Sequence, residues 1–219
     1  MYDSRVARLK DPAVRAQLLD RAAQMLRVRE PITIRSLVSG TGVSTMAVYT
    51  HFGSLPGLWS ALRQEGFTEL SSALSAVRTT DDPVRDLTAL GVAYVSNALA
   101  NPDLYRVMFD EGFALPDPES ANDTLRSLVI GAQRAVAAGR FSTDTDPVEF
   151  ATRAWVIGHG LASLVATGPL PDAALDHAVP LLTALYIGAG DDPARCRESV
   201  RLGWTLAPST DAIRSPNPR

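Results

Sequence analysis

Residues 33–53, TIRSLVSGTGVSTMAVYTHFG, decide how this chain is read. Thr33 is a residue type that caps a helix start. Ile34, Leu37 and Val38 follow at i, i+3 and i+4, so they share one face while Arg35, Ser36 and Ser39 point away from it. The short helix must stop at Gly40-Thr41-Gly42, because glycine takes the positive φ angles of a tight turn, and Val43 supplies an apolar plug in that turn. Ser44 is a second cap. From it the spacing predicts a helix over 45–52 in which Val48 and Phe52 share a face and Thr45, Met46, Ala47, Tyr49 and His51 occupy the others. Helix, glycine turn, helix with polar residues at its start is the layout of a helix-turn-helix, whose second helix enters the DNA major groove. An ordinary helical hairpin around a buried Phe52 has part of the same pattern.

Upstream, residues 1–10 carry Arg5, Arg8 and Lys10 without a helical period and read either as a flexible basic arm or as a solvated terminus. Asp11-Pro12 starts a helix expected to run to about Arg29, with Val14, Leu18, Ala22, Met25 and Leu26 at a 3.6-residue period, until Glu30-Pro31 breaks it. Residues 11–55 thus form an expected three-helix headpiece. Ser54 caps a long helix over about 56–77, and Leu55-Pro56-Gly57 is the expected pivot at its start. Further helices are expected over 84–99, a short one after Asn101-Pro102, and over 119–138, 147–167, 172–187 and 194–207. Pro180 is expected to kink the helix over 172–187. Residues 56–207 make the second part, and the Pro-, Ser- and Asn-rich stretch 208–219 reads as a disordered tail. No strand alternation is present, so the fold class is all-α.

Composition narrows the function classes. With 46% apolar residues and mean hydropathy of +0.02, the chain has the make-up of a globular protein, and no window is apolar enough to span a membrane. Its polar, charged start lacks the apolar core of a signal peptide, from which a cytoplasmic location is expected. Net charge is −3, but nine basic against five acidic side chains in residues 1–65 leave that part at +4 and the remainder at −7, as if only the first part met phosphate. Cys196 is the only cysteine and is expected to have no role, although Arg195 and Arg197 beside it hint at a lowered thiol pKa. His51, His159 and His177 lie far apart in the sequence without Cys or carboxylates at ligand spacing, so no metal, cofactor or enzymatic activity is expected.

Gly42-Val43-Ser44 followed by Val48-Tyr49-x-His51-Phe52-Gly53-Ser54 resembles the DNA-binding signature of TetR-family transcriptional regulators. Asn101-Pro102-x-Leu104-Tyr105-x-x-Met108-Phe109 and Trp155-x-x-Gly158-His159-Gly160 resemble a signature in the regulatory domain of one subfamily. Three positions depart from the family pattern. Thr45 and the residue after Gly53-Ser54 stand where lysines are usual, and Val38 stands where alanine is common. The resemblance implies that Thr33, Arg35, Ser44, Thr45, Met46, Ala47, Tyr49 and His51 meet double-stranded operator DNA. Of these, Thr33, Ser44, Tyr49 and His51 would hold phosphates, and Thr45, Met46 and Ala47 would face base edges. It also implies a homodimer through the helices around Gly158 and Pro180, and a small-molecule effector among Tyr94, Asn97, Tyr105, Met108, Phe109, Phe113, Trp155 and His159. The reading is a repressor of a pseudo-palindromic operator, released by that effector. Two alternatives stand beside it: a transcriptional activator, and a helical ligand-binding protein or enzyme that kept the headpiece without its DNA function.

Overall fold

The computed structural model describes residues 11–205; the arm expected over 1–10 and the tail expected over 208–219 lie outside them. Among the described residues every regular element is helical: α1 (Pro12–Arg27), α2 (Ile34–Val38), α3 (Thr45–Phe52), α4 (Leu55–Ser75), α5 (Pro83–Ala100), α6 (Pro102–Met108), α7 (Glu119–Ala137), α8 (Pro147–Ala166), a 3-10 turn (Asp172–His177), α9 (Ala178–Gly188) and α10 (Pro193–Trp204).

Local chemistry sets these boundaries. Asp11, Asp82, Asp146 and Asp192 each cap a helix whose first residue is proline, accepting hydrogen bonds from backbone N–H groups of the first turn. Helix α1 ends two residues before the expected Arg29. There Arg29 itself takes a left-handed φ of 54°, and its N–H and that of Glu30 bond back to Leu26 and Met25, closing the helix before Pro31 is reached. The expected kink at Pro180 is absent. The chain runs as a 3-10 turn to His177 and starts a new α-helix at Ala178, which puts Pro180 in a first turn where its missing N–H costs nothing.

Three apolar clusters fill the molecule. Leu18, Leu19, Ala22 and Met25 of α1 meet Leu37, Val48, Leu58 and Leu62 in the headpiece, with Ile34, Val38, Val43 and Phe52 packed on their edge. A second cluster joins α4, α5, α6 and α8 around Phe67, Leu70, Tyr94, Tyr105 and Met108. The third joins α5, α7, α8, α9 and α10 around Leu87, Phe141, Phe150 and Tyr186. Beside it lies a buried ionic clamp. The Arg140 guanidinium forks onto Asp191 at 2.7 and 2.8 Å and reaches Asp82 at 2.6 Å and Ser199 at 3.0 Å, tying the start of α5 to α10 and to the links before α8 and α10. Burial alone would lower the Arg140 pKa, but the hydrogen bond to Asp191 and the carboxylate charges raise it on balance. Losing either partner would strand a buried charge, so the clamp fixes one arrangement of these helices.

Helix α6 belongs to two clusters at once. Leu104 and Val107 enter the headpiece core, whereas Tyr105 and Met108 enter the second cluster. Gly66 of α4 makes this possible, because a Cβ there would stand 2.4 Å from the Met108 side chain. Arg63 of α4 then donates from Nε to the Met108 carbonyl at 2.9 Å and from Nη1 to the Phe113 carbonyl, holding the C-terminal end of α6.

Candidate functional site

The headpiece presents one face of α3 to solvent. Thr33 caps α2 through a reciprocal pair with Ser36, accepting from the Ser36 N–H at 3.1 Å while the Ser36 hydroxyl accepts from the Thr33 N–H at 2.9 Å. After α2 the chain turns through Gly40 and Gly42, both at φ above 70°, and Gln17 of α1 donates to the Thr41 carbonyl at 3.1 Å, which pins the turn to the headpiece. Ser44 begins α3 without a capping side-chain bond. Val48 is fully buried, so the opposite side of α3 faces out: Thr45 is exposed, Met46 is 65% exposed and Tyr49 48%. Thr33, Arg35 and Ser44 are exposed as well, Ala47 is half-buried, and all of these line up along α2, the turn and α3.

His51 differs from its expected exposure. It is half-buried, its Nδ1 is buried without a hydrogen-bond partner, and its ring lies 6.3 Å from that of Phe52. The basic surplus of the headpiece is also partly spent inside the fold. Arg63 holds α6, Arg15 lies over the Phe52 ring at 5.7 Å, and Arg21 pairs with Glu30 at 3.4 Å. Where the family pattern has a lysine after Ser54, Leu55 packs against the headpiece core and the Ser54 hydroxyl caps α4. At Leu55-Pro56-Gly57, the expected pivot, the chain is closely packed: a Cβ on Gly57 would fall 1.9 Å from the Phe52 carbonyl oxygen.

The second site is a cavity between α4, α5, α7 and α8. One chamber, of about 230 Å³, is lined by Phe67, Leu70, Tyr94, Phe109, Leu125 and Trp155, among others. A narrow extension of about 30 Å³ continues past Tyr94 and Trp155 toward Leu87, Leu182 and Tyr186. Behind this wall the two motifs quoted from the second part meet. The Phe109 ring is 4.4 Å, the Trp155 ring 5.6 Å and the Tyr105 ring 5.8 Å from the His159 ring. Tyr105 Oη is 2.7 Å and Tyr94 Oη 3.0 Å from His159 Nδ1, and the two hydroxyls are 3.0 Å apart. The three groups form one connected network, which the Ser163 hydroxyl joins at 3.3 Å from His159 Nε2. Burial lowers the His159 pKa and raises those of both tyrosines, so all three groups are neutral near pH 7.

Three residues expected at this cavity are elsewhere. Asn97 faces a separate groove between the end of α4 and α5. Phe113 stacks on Trp59 of α4 with ring centroids 5.5 Å apart. Met108 packs under α6 against Gly66. The sequence reading missed the α7 wall, Asn122, Thr124 and Leu125, which no motif marks. Gly158, expected to face a second subunit, instead faces Tyr94, whose Cδ1 would be 3.9 Å from an added Cβ. Cys196 is fully buried, and burial, with Asp191 nearby, pushes its thiol pKa up to about 12, which removes the expected hint of a reactive thiolate.

Residues 87–186 match a family model described as the tetracyclin repressor-like C-terminal domain. No protein of curated description matches the chain. Among solved structures, the chain resembles a protein of unknown function from Rhodococcus sp. RHA1, with 26% identity and a TM-score of 0.68 over 81% of this chain and 96% of that one. It also resembles a bacterial regulatory protein in the tetR family from Rhodococcus RHA1, with 19% identity and a TM-score of 0.64 over 81% and 97% of the two chains. RolR in complex with resorcinol has 17% identity and a TM-score of 0.59 over 95% and 96%. At such identities the last two establish a shared fold.

Proposed function

We propose that this chain, whose residues 87–186 match the tetracyclin repressor-like C-terminal domain, is a TetR-type homodimeric repressor that binds a pseudo-palindromic operator and releases it when a small molecule occupies the α4–α5–α7–α8 cavity. The observation that carries this reading is the outward face of α3. A buried Val48 anchors the helix while Thr45, Met46 and Tyr49 are left in solvent beside the unbonded hydroxyl of the Ser44 cap. Large side chains held out on a short, well-seated helix suit a groove. Hydroxyls and the free N–H groups of the first turn suit phosphate oxygens, whereas Met46 and Ala47 offer only apolar contact to thymine methyls.

Dimer formation is supported by two adjacent helices with apolar outer faces. Val156 and Leu164 on α8 are 61% and 43% exposed, Leu181 on α9 is 44% exposed, and Gly160, Ala184 and Gly188 between them let a partner helix approach closely. The cavity reaches the headpiece by two paths, the continuous α4 and the shared α6. A ligand that alters the position of Tyr105 therefore acts on Leu104 and Val107 of the headpiece core through one rigid turn of helix.

Tyr49→Ala tests the reading in a gel-shift titration with DNA flanking the protein's own coding sequence. Tyr49 is exposed, so the variant should melt like the wild type yet bind that DNA more weakly. Because the phenol is uncharged and neutralises no phosphate, the log–log salt slope should stay that of the wild type while the affinity falls at every salt concentration. Equal affinity in the two proteins would remove Tyr49 from the DNA interface.

A further inference from the structure

Thr124 of α7 stands in the wall common to both chambers of the cavity and is 6% exposed. Its hydroxyl has no hydrogen-bond partner. Other helical threonines show what is missing: Thr50, Thr68, Thr88 and Thr152 each donate to the carbonyl four residues back, at 2.8 to 3.0 Å. A buried hydroxyl left unpaired destabilises a fold, and valine would fill the same volume without that penalty. Threonine uses two χ1 wells in a helix, and turning between them exchanges the positions of hydroxyl and methyl, so the hydroxyl can be brought to the cavity side without moving the backbone.

The remaining wall limits what such a group can meet. The residues lining the two chambers include no Asp, Glu, Lys or Arg. The Ser127 hydroxyl is engaged with the Asp123 carbonyl, and Asn122 is exposed at the rim. Tyr94, which also borders both chambers, has its hydroxyl engaged with Tyr105, His159 and Trp155. An ion entering this space would lose its hydration without a counter-charge, which is prohibitive, whereas an uncharged ring meets Phe67, Phe109, Leu125 and Trp155. An apolar cavity of about 150 Å³ accepts benzene, so the main chamber accommodates on the order of ten non-hydrogen atoms.

We propose that the cavity selects an uncharged one- or two-ring molecule of this size, carrying a hydroxyl or carbonyl oxygen that completes the hydrogen bonding of Thr124. The inference rests on reading the cavity as the effector site, and names the chemistry of the effector. Calorimetric titration of the full chain at pH 7.5 with 2-naphthol, naphthalene and 2-naphthoate tests it. 2-Naphthol should bind about tenfold more tightly than naphthalene, the worth of one net hydrogen bond, and 2-naphthoate should not bind at a hundredfold higher concentration. Thr124→Val should melt at or above the wild-type temperature, bind naphthalene like the wild type and lose the preference for 2-naphthol.

Naphthoate binding as tight as naphthol binding, a Thr124→Val protein that keeps the preference, or no binding by any of the three would overturn the proposal. A gel shift with the same probes separates it from the parent reading. Binding in the expected pattern that leaves DNA affinity unchanged upholds the site and overturns its role in releasing DNA.

Discussion

Burial holds the His159 ring neutral, and this has a measurable consequence for stability. An unfolded chain protonates its histidine at about pH 6.5, while the folded protein does so only at lower pH. Between those values the unfolded state binds more protons. The stability associated with neutral His159 is therefore whole above pH 6.5 and is lost as the pH falls toward the folded value. Melting temperature should begin to drop below about pH 6.5, before carboxylates such as Asp82 titrate, and the drop over that window should be shallower in His159→Gln. A wild-type profile that stays flat down to the carboxylate range would contradict the assignment. At this scale the sequence was legible where a motif carried a side chain's chemistry. The quoted motifs brought Tyr105, Phe109, Trp155 and His159 to notice, and these do converge. Thr124 was not legible, because its significance lies in a bond it does not make, and that depends on packing from three other helices.

Between the headpiece and the cavity the governing element is α6, and Arg63 determines how firmly it is held. Removing that side chain in Arg63→Ala frees the Met108 and Phe113 carbonyls together, and charged hydrogen bonds of this kind are worth about 1.5–3 kcal/mol each. The expected outcome is a lower melting temperature and faster amide hydrogen exchange over residues 105–109, with exchange in α3 unchanged. Unaltered exchange in α6 would show that the helix is held by its apolar contacts alone. Caps and prolines made most helices readable, since Asp-Pro at four helix starts fixes each boundary locally. Two elements were misread for the opposite reason. Pro180 looks like a kink in sequence, yet a new helix starting at Ala178 puts it in a first turn, and the end of α1 depends on a left-handed Arg29 that nothing in the local sequence demands.

Over the whole molecule, the reading depends on two headpieces being presented together. In the proposed dimer the apolar outer faces of α8 and α9 would form the pairing surface, and the Arg140 clamp fixes the helices behind it. Apolarity of these two helices was plain from the sequence, but which glycine faced outward was not. Gly158 and Gly160 differ only in helical phase, and the phase is set by where Tyr94 lies. If α8 and α9 pair two copies about a twofold axis, both α3 helices approach one side of a duplex, with half-sites separated by about one helical turn, 34 Å, or a multiple of it. Footprinting of the wild-type protein on DNA flanking its own coding sequence tests this most directly. The account predicts two protected half-sites of inverted sequence on one face of the helix, appearing together as protein is added. No protection, or protection of a single unpaired half-site, would contradict it.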